Sequence, residues 1–208
     1  MCISDMPTPR TSPAALRCVP AGCGLEAFGR RLRGRTQHDL LLSQRLEGGA
    51  GADGSVDVLL VDAPSPLSAL GLNALVAARL CYALVGCDAR GLEAAQGLVG
   101  LAALLREARG TDARLRLVPC LPEDERSGAE RWLDTLRRRV GASLSPVVLP
   151  FDERLDEASA LETPLPLLFP EAPSALACHA LSVEVAFWAE AARTPALPSS
   201  EALRSIAA

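Results

Sequence analysis

The chain has 208 residues, of which 49% are hydrophobic and 22% charged, and its formal net charge is −4. This composition excludes a wholly disordered protein. The net negative charge excludes a protein whose whole surface is basic and binds nucleic acid. All 21 basic residues are arginine, so the chain itself supplies no lysine for a Schiff base or a phosphate-binding loop.

The cysteines are scattered and form no Cys-x-x-Cys pair. This spacing favours reduced, mostly buried thiols over a disulfide framework or a zinc site. Charged residues and prolines interrupt residues 1–20, which excludes a secretory signal there, and the most apolar window, 71–87, is too short to span a bilayer. These features predict a soluble cytoplasmic protein with no bound metal and no membrane span.

The first quarter of the sequence predicts an arm, one strand and two helices. Residues 1–14 are rich in proline, serine and threonine, which is typical of a flexible arm. A short apolar run at 16–20 predicts a strand, and leucines at helical spacing predict two helices between residues 25 and 46. The glycine-rich stretch 48–54 predicts a loop.

From residue 56 onward, apolar runs alternate with helical patterns. The run VDVLLV at 56–61 suits a strand that is buried on both faces of a parallel sheet. The later elements are a helix at 68–79, a strand at 80–85, a helix at 90–109, a strand at 115–120, a helix at 127–140, a strand at 146–149 and helices at 153–161 and 172–192. The alternation predicts an α/β fold with a parallel, doubly wound sheet and helices on both faces. We expect one domain, 15–193, followed by a flexible tail, 194–208.

Asp62 is the first residue that could carry chemistry. It ends the predicted strand 56–61, and the stiff loop Ala63-Pro64-Ser65-Pro66 follows it. Ligands of open parallel sheets bind beyond the carboxyl ends of the strands, where an aspartate can hold a metal-bound water beside a nucleotide phosphate. The alternative is that Asp62 only caps the following turn through backbone hydrogen bonds.

The stretch VDVLLVDAPSPLSALGLNALVAA resembles the Walker B and switch II region of ParA/Soj/MinD-type (deviant Walker) partition ATPases. The resemblance assigns a switch-like loop to Asp62, Pro64, Ser65 and Asn73. Downstream, CYALVGCDARGLEAAQGL and LRLVPCLPEDERSGAERWLDTL resemble the next strands and helices of that family. VVLPFDERLDEASALETPL is similar to the family's loop beside the nucleotide base, here Pro150, Phe151 and Asp152. The resemblance covers residues 15–190.

The resemblance implies a P-loop-NTPase-like fold, which in the family binds ATP and Mg²⁺. The sequence departs from the family because no strand and lysine-bearing glycine loop precede Leu16. Gly48–Ser55 lacks the lysine of a phosphate loop and precedes a predicted strand, whereas a phosphate loop follows one. Gly22–Ala27 matches the GxGxxA pattern of a dinucleotide-binding turn, but a helix-capping turn explains this stretch better. We therefore expect a sheet without its phosphate-loop strand, a degenerate Walker A region, no ATP-binding site in this chain and no ATP-sandwiched homodimer.

Two groups of arginines could contact DNA without sequence preference, as proteins of this family do. One group is Arg30, Arg31 and Arg33, and the other is Arg131, Arg137, Arg138 and Arg139. Both lie on predicted helices, and phosphate contacts need only arginine or lysine. The alternative is a solvated helix face.

The sequence thus favours a ParA-like protein of chromosome or plasmid partitioning that is degenerate and non-catalytic. Its expected partners are an intact ParA-type ATPase, a ParB-like adaptor or nucleoid DNA. One alternative is a truncated fragment of an active ParA-type ATPase, which hydrolyses ATP when its N-terminal region is present. A third class is an unrelated α/β protein that binds a small molecule near Asp62 and 20–24.

Overall fold

A computed structural model describes residues 19–32, 38–47, 58–111, 113–123 and 128–193. The helices are α1 (Leu25–Leu32), α2 (Leu41–Glu47), α3 (Ala69–Ala77), α4 (Ala89–Arg109), α5 (Ala129–Val140), α6 (Arg154–Ala160), α7 (Leu165–Leu168) and α8 (Pro173–Arg193). Short 3-10 turns cover His38–Leu40 and Gly141–Ser143, and the strands are β1 (Leu80–Gly86) and β2 (Arg114–Cys120). Within these ranges the chain is a mixed α/β structure.

The strands β1 and β2 form a two-stranded parallel sheet, with α4 as the crossover between them. The pairing runs from Leu80 opposite Arg114 to Gly86 opposite Cys120. A third extended segment, 144–149, follows the outer edge of β2 through single bridges to Leu117 and Cys120. The expected parallel arrangement is therefore present in part.

The largest buried apolar cluster lies on one face of this sheet, against α4 and α5. Alternate β2 residues, Leu115 and Leu117, enter this cluster because successive strand side chains point to opposite faces. The helices contribute Ala95 and Leu136, both fully buried. On the opposite face, Arg116 pairs with a glutamate of α8, so helices lie on both faces of the sheet.

Local signals in the sequence set the helix ends. The Asp88 side chain accepts a hydrogen bond from the Gly91 N–H at 2.7 Å and so caps α4 at its N-terminus. The helix ends at Gly110, whose φ of 64° is the left-handed conformation that glycine adopts most readily. In the same way, Ser68 caps α3 by accepting from the Gly71 N–H at 2.9 Å.

A buried polar cluster joins the N-terminal helices to the rest of the chain. Asp39, 6% exposed, receives two hydrogen bonds from the Arg109 guanidinium at 2.9 and 3.1 Å. Asn73, 5% exposed, donates to the carbonyl oxygens of His38 and Ala69 and accepts from the Leu42 N–H. These bonds satisfy polar groups that would otherwise be buried without partners.

Two predicted strands differ from the structure. Residues 58–61 of the run VDVLLV are neither helix nor strand and are exposed, and no described segment pairs with them. The predicted strand 146–149 meets β2 only through the bridge at its end, Leu149. Strand geometry is stabilised by a continuous ladder with a neighbour, so an apolar run alone does not create it.

Among the other predictions, some agree with the structure, some differ from it, and some lie outside the described ranges. The helices predicted at 68–79, 90–109, 127–140, 153–161 and 172–192 are found with shifts of a few residues at their ends, and the short α7 has no predicted counterpart. The prediction of mostly buried thiols is wrong for Cys23 and Cys178, which are exposed. Residues 19 and 20 of the strand predicted at 16–20 are not in a strand, and the arm 1–14, the stretch Gly48–Ser55 and the tail 194–208 lie outside the described residues.

Candidate functional site

The carboxyl ends of the extended segments meet along one edge of the sheet. The Cys87 N–H donates to the Cys120 carbonyl at 3.1 Å, directly after the strands β1 and β2 end. The Leu121 N–H donates to the Leu149 carbonyl at 2.8 Å, which brings the loop 150–152 to the same edge. This edge is where parallel sheets place ligands, so it is the candidate site.

Asp62 is exposed and lies on an irregular segment that leads into α3. The following residues Pro64 and Ser65 are exposed as well, and the Ser65 carbonyl accepts from the Ser68 N–H at 2.9 Å. A side chain at Gly71 would collide with the backbone of Pro64 and Ser65, so the loop packs closely against the start of α3. The loop position is therefore fixed by backbone contacts, and the Asp62 carboxylate is left facing solvent.

Asn73 is not part of the loop around Asp62, because it lies within α3. Its amide is engaged with the backbone of His38, Leu42 and Ala69, inside the helical layer formed by α2 and α3. The structure thus gives Asn73 a clear packing role, and the switch-like grouping of Asn73 with Asp62 stays a prediction.

Asp152 is the most constrained acid at the candidate site. Its side chain accepts from the Arg154 N–H at 3.2 Å, from the Arg154 guanidinium at 2.9 Å and from the Ser174 N–H at 3.4 Å. Burial alone would raise the pKa of Asp152, but these backbone donors and the guanidinium lower it below its usual value. Asp152 therefore joins the starts of α6 and α8, while Phe151 beside it is 48% exposed.

A nucleotide triphosphate needs free backbone donors; side chains cap three of the helix N-termini near this edge, whereas α5 begins at Gly128 without a side-chain cap. The first turns of α3, α4 and α8 each give a backbone N–H to a side chain of the chain itself, namely Ser68, Asp88 and Asp152. Two of these three caps are carboxylates, which repel phosphate. The first turns of α4 and α8 therefore disfavour a phosphate group.

In the described part of the chain, the same edge does not collect a group of metal ligands or an activated thiol. Among the described residues, no three His, Cys, Asp or Glu side chains are grouped so that they could hold a metal ion. Mg²⁺ in nucleotide sites is usually held by one or two carboxylates together with the phosphates, and Asp62 could supply one such carboxylate. Burial raises the pKa of Cys87 and of Cys120, so both thiols stay protonated at neutral pH and are poor nucleophiles.

The α5 arginines predicted to contact DNA form an exposed face. Arg131, Arg137, Arg138 and Arg139 are all exposed. Arg137 pairs with Asp134 at 2.9 Å, and Arg138 donates to the Thr135 hydroxyl at 3.2 Å. Residues 131 and 138 are about two helical turns apart and share one side of the helix. Four arginines against two acids leave α5 with a positive surface.

The first arginine group is less concentrated. Arg30 lies on α1, 3.7 Å from Glu26, in an exposed pair that contributes little to stability. Arg31 is exposed on the same helix, and Arg33 lies outside the described residues.

One polar network on the second face of the sheet has no counterpart among the sequence predictions. Glu184 of α8 accepts from Arg116 at 2.6 Å and from the Ser145 hydroxyl at 2.7 Å. The buried Tyr82 hydroxyl lies near this group, where burial raises the pKa of Tyr82 to about 12, with a further rise from Glu184 and an opposing effect of Arg116. These residues are far apart in the sequence, so no local pattern could have identified the network.

Comparison with known proteins gives one informative similarity. The chain is 36% identical over 137 residues to "Chromosome-partitioning ATPase Soj" of Thermus thermophilus. The matched region is 64% of this chain and 54% of the Soj protein, so the chain spans about half the length of that relative. No protein-family model matches the chain. The similarity supports a ParA/Soj-like relation, as the residues around Asp62 and Asn73 suggested.

No described helix is both long and apolar enough to cross a membrane.

Proposed function

We propose that this chain is a ParA-like protein of chromosome or plasmid partitioning, and that it acts by binding rather than by hydrolysing ATP. The observation that carries the proposal is the 36% identity to a partitioning ATPase over 137 residues. The ordered resemblance of the segments around Asp62, Asn73 and Asp152 supports it as well. The proposed partners are a ParA-type ATPase, a ParB-like adaptor or nucleoid DNA, in the cytoplasm.

Two features favour binding over catalysis in this chain. Phosphoryl transfer requires groups that neutralise the charge growing on the γ-phosphate, usually backbone amides and a lysine. The 208 residues contain no lysine, and the first turns of α3, α4 and α8 each give one backbone donor to a side chain of the chain itself. Asp62 could orient a water, but the 208 residues supply no lysine to hold a phosphate for that water to attack.

The exposed α5 face is the proposed DNA contact. Arg131 and Arg138 share one side of the helix, and Arg137 extends the face at its C-terminal end. Arginines spaced along an exposed helix contact phosphates without reading base sequence. Because the whole chain is acidic, this binding should be local and should weaken steeply with salt.

Calorimetric titration with Mg-ATP tests the non-catalytic part of the proposal. We expect no micromolar binding to the purified chain, and the Asp62→Ala variant should behave in the same way. Micromolar binding that the variant loses would contradict the proposal and favour an ATPase.

Salt-dependent anisotropy with a labelled DNA duplex tests the nucleic-acid part. Replacing Arg131, Arg137 and Arg138 together by Gln should lower the slope of log affinity against log salt by about 2–3, about one for each arginine that no longer pairs with a phosphate. The matched control is Arg90→Gln, an exposed arginine on α4, which should leave the slope unchanged. Equal effects of the control and the triple variant would argue against α5 as the contact.

A second candidate is a segment of an active ParA-type ATPase. The specific observation in its favour is that the chain matches only 54% of Soj, itself named as an ATPase. The genomic sequence upstream of the coding region distinguishes the two candidates, because an in-frame glycine-rich stretch carrying lysines would supply the missing phosphate loop. Its absence would favour the binding role.

A further inference from the structure

A groove of about 420 Å³ opens at the opposite end of the sheet from the candidate site. The second half of α4, the first residues of β2, the turn Gly141–Ser143 and α8 surround it. The groove therefore lies at the amino ends of the strands, away from the carboxyl-end site that includes Asp152. Nothing in the proposed function makes use of it.

Three arginines line the groove, and two of them have no acidic partner among the residues that the structure describes. Arg116 is neutralised by Glu184 at 2.6 Å and also donates to the Ala142 carbonyl. Arg106 and Arg114, by contrast, form no ion pair with any carboxylate in the described part of the chain. The groove consequently carries two uncompensated positive charges in a chain whose net charge is −4.

The Arg114 side chain is held in position by an aromatic ring. Its guanidinium carbon lies 3.7 Å from the centre of the Trp188 ring, a cation–π contact. Stacking occupies the flat face of the guanidinium and leaves its in-plane N–H donors available for a carboxylate. Because Trp188 also contacts Phe187 edge to face, the ring and the arginine above it form a preorganised surface.

The remaining lining is made of small apolar side chains. Val99 and Ala102 of α4 are half-buried and lie beside Leu115, which is 8% exposed. These residues form a floor that can accept an aliphatic side chain, while Arg106 and Arg114 line the same groove. The groove therefore offers a ligand an apolar surface and two arginines that can each pair with a carboxylate.

We infer that this groove binds an acidic peptide segment of a partner protein, in which carboxylates flank an aliphatic side chain. The carboxylates would pair with Arg106 and Arg114, and the aliphatic side chain would lie on the floor of Val99, Ala102 and Leu115. This inference does not depend on the proposed function, since it uses different residues.

A DNA duplex fits the groove less well than a peptide does. Phosphates have no use for an apolar floor, and non-specific DNA surfaces usually track the backbone with an extended row of basic groups. The α5 face has that extended form, whereas Arg106 and Arg114 line a recess between four elements. Two guanidinium groups beside an apolar surface complement the carboxylates and the leucine side chains of an acidic peptide.

The test uses labelled synthetic peptides and the full chain. The probe is a fluorescein-labelled Glu-Leu-Glu-Glu-Leu-Glu peptide, compared with the same peptide carrying Ser in place of Leu, the same peptide carrying Lys in place of Glu, and a labelled DNA duplex. Replacing Arg106 and Arg114 by Gln should weaken binding of the first peptide at least about tenfold. Arg90→Gln, at the other end of α4, is the matched control and should leave binding unchanged.

Tryptophan fluorescence gives a second readout at the groove itself. The chain has two tryptophans, so Trp132→Phe leaves Trp188 as the only source of tryptophan fluorescence. An unlabelled form of the first peptide should then change the Trp188 emission in proportion to its binding. If the double arginine variant does not fold, the single variant Arg106→Gln, at an exposed position, is measured instead.

Binding of the Leu-containing acidic peptide that depends on Arg106 and Arg114 and changes the Trp188 emission supports the inference. Absence of binding, or an equal loss in Arg90→Gln, overturns it. Equal binding of the Ser-containing peptide removes the role of the apolar floor and overturns the inference in this form. Binding of the DNA duplex with the same arginine dependence, without peptide binding, replaces it with a nucleic-acid site.

Discussion

Two apolar segments of the chain have similar compositions but differ in strand pairing. Every residue of β1 is in register with β2, and Val85 is 3% exposed and packs in the core beneath α4, although Leu84 on the other face is 66% exposed. In the segment 58–61, exposures run from 47% at Leu59 to 76% at Leu60, with no strand pairing among the described residues. The contrast shows that a partner, and not the apolar run alone, turns a sequence into a strand.

The first prediction tests this contrast by removing one leucine from each region. Leu117 is fully buried and lies in β2 between β1 and the segment 144–149, so Leu117→Ala should lower the free energy of unfolding by about 2–5 kcal/mol. Leu60→Ala should change it by less than about 0.5 kcal/mol, because Leu60 is 76% exposed. Urea unfolding of both variants measures the two values.

A large loss of stability in Leu60→Ala would contradict the contrast. It would mean that residues 58–61 pack against something in solution, such as a second chain, in which case the loss should depend on protein concentration.

The second prediction concerns how β1 turns into α4. A Cβ at Gly91 would collide with the backbone of Gly86, so Gly91→Ala should lower the free energy of unfolding by about 1–3 kcal/mol. Gly97 on the same helix has open space around it, and Gly97→Ala should raise stability by about 0.5–1 kcal/mol, since alanine favours helix. Thermal unfolding of the pair should give opposite signs, and a shared sign would argue against the tight turn.

The third prediction concerns the attachment of the N-terminal helices to the core. Asn73→Ala removes the acceptor of the Leu42 N–H and the donor to the His38 carbonyl, so the free energy of unfolding should fall by about 1–2 kcal/mol. Amide exchange at residues 38–47 should increase more than exchange in β2. Uniform exchange changes across both regions would show that Asn73 does not act as a local attachment.

The sequence predicts the regular elements well where a local signal exists. The helix α4 has an aspartate cap, a glycine end and a long apolar pattern, and its predicted and observed bounds differ by one residue at the start. The four-residue α7 has no comparable signal, because a single helical turn depends on its contacts with α6 and α8.

At the candidate site, too, the sequence predicts residues that have a local signal but not their distant contact partners. Asp62 could be selected from the sequence because it follows an apolar run that predicts a strand, and Asp152 because the segment around it resembles the family's loop beside the nucleotide base. Their partners could not, since Ser174 is 22 residues from Asp152. The ion pairs Asp39–Arg109 and Arg116–Glu184 span 70 and 68 residues and depend wholly on how the helices pack.

The last and smallest predicted effect tests Asp152 through pH. Its pKa is lowered in the folded chain, so its ionised carboxylate stabilises the fold above the ordinary value of about 3.9, and this contribution is lost as pH falls through the lowered pKa. Asp152→Asn should therefore reduce the urea midpoint more at about pH 7 than at about pH 3. The control is Glu153→Gln at the exposed neighbouring position. A difference between wild type and Asp152→Asn that is the same at both pH values would contradict the charge-assisted link between α6 and α8.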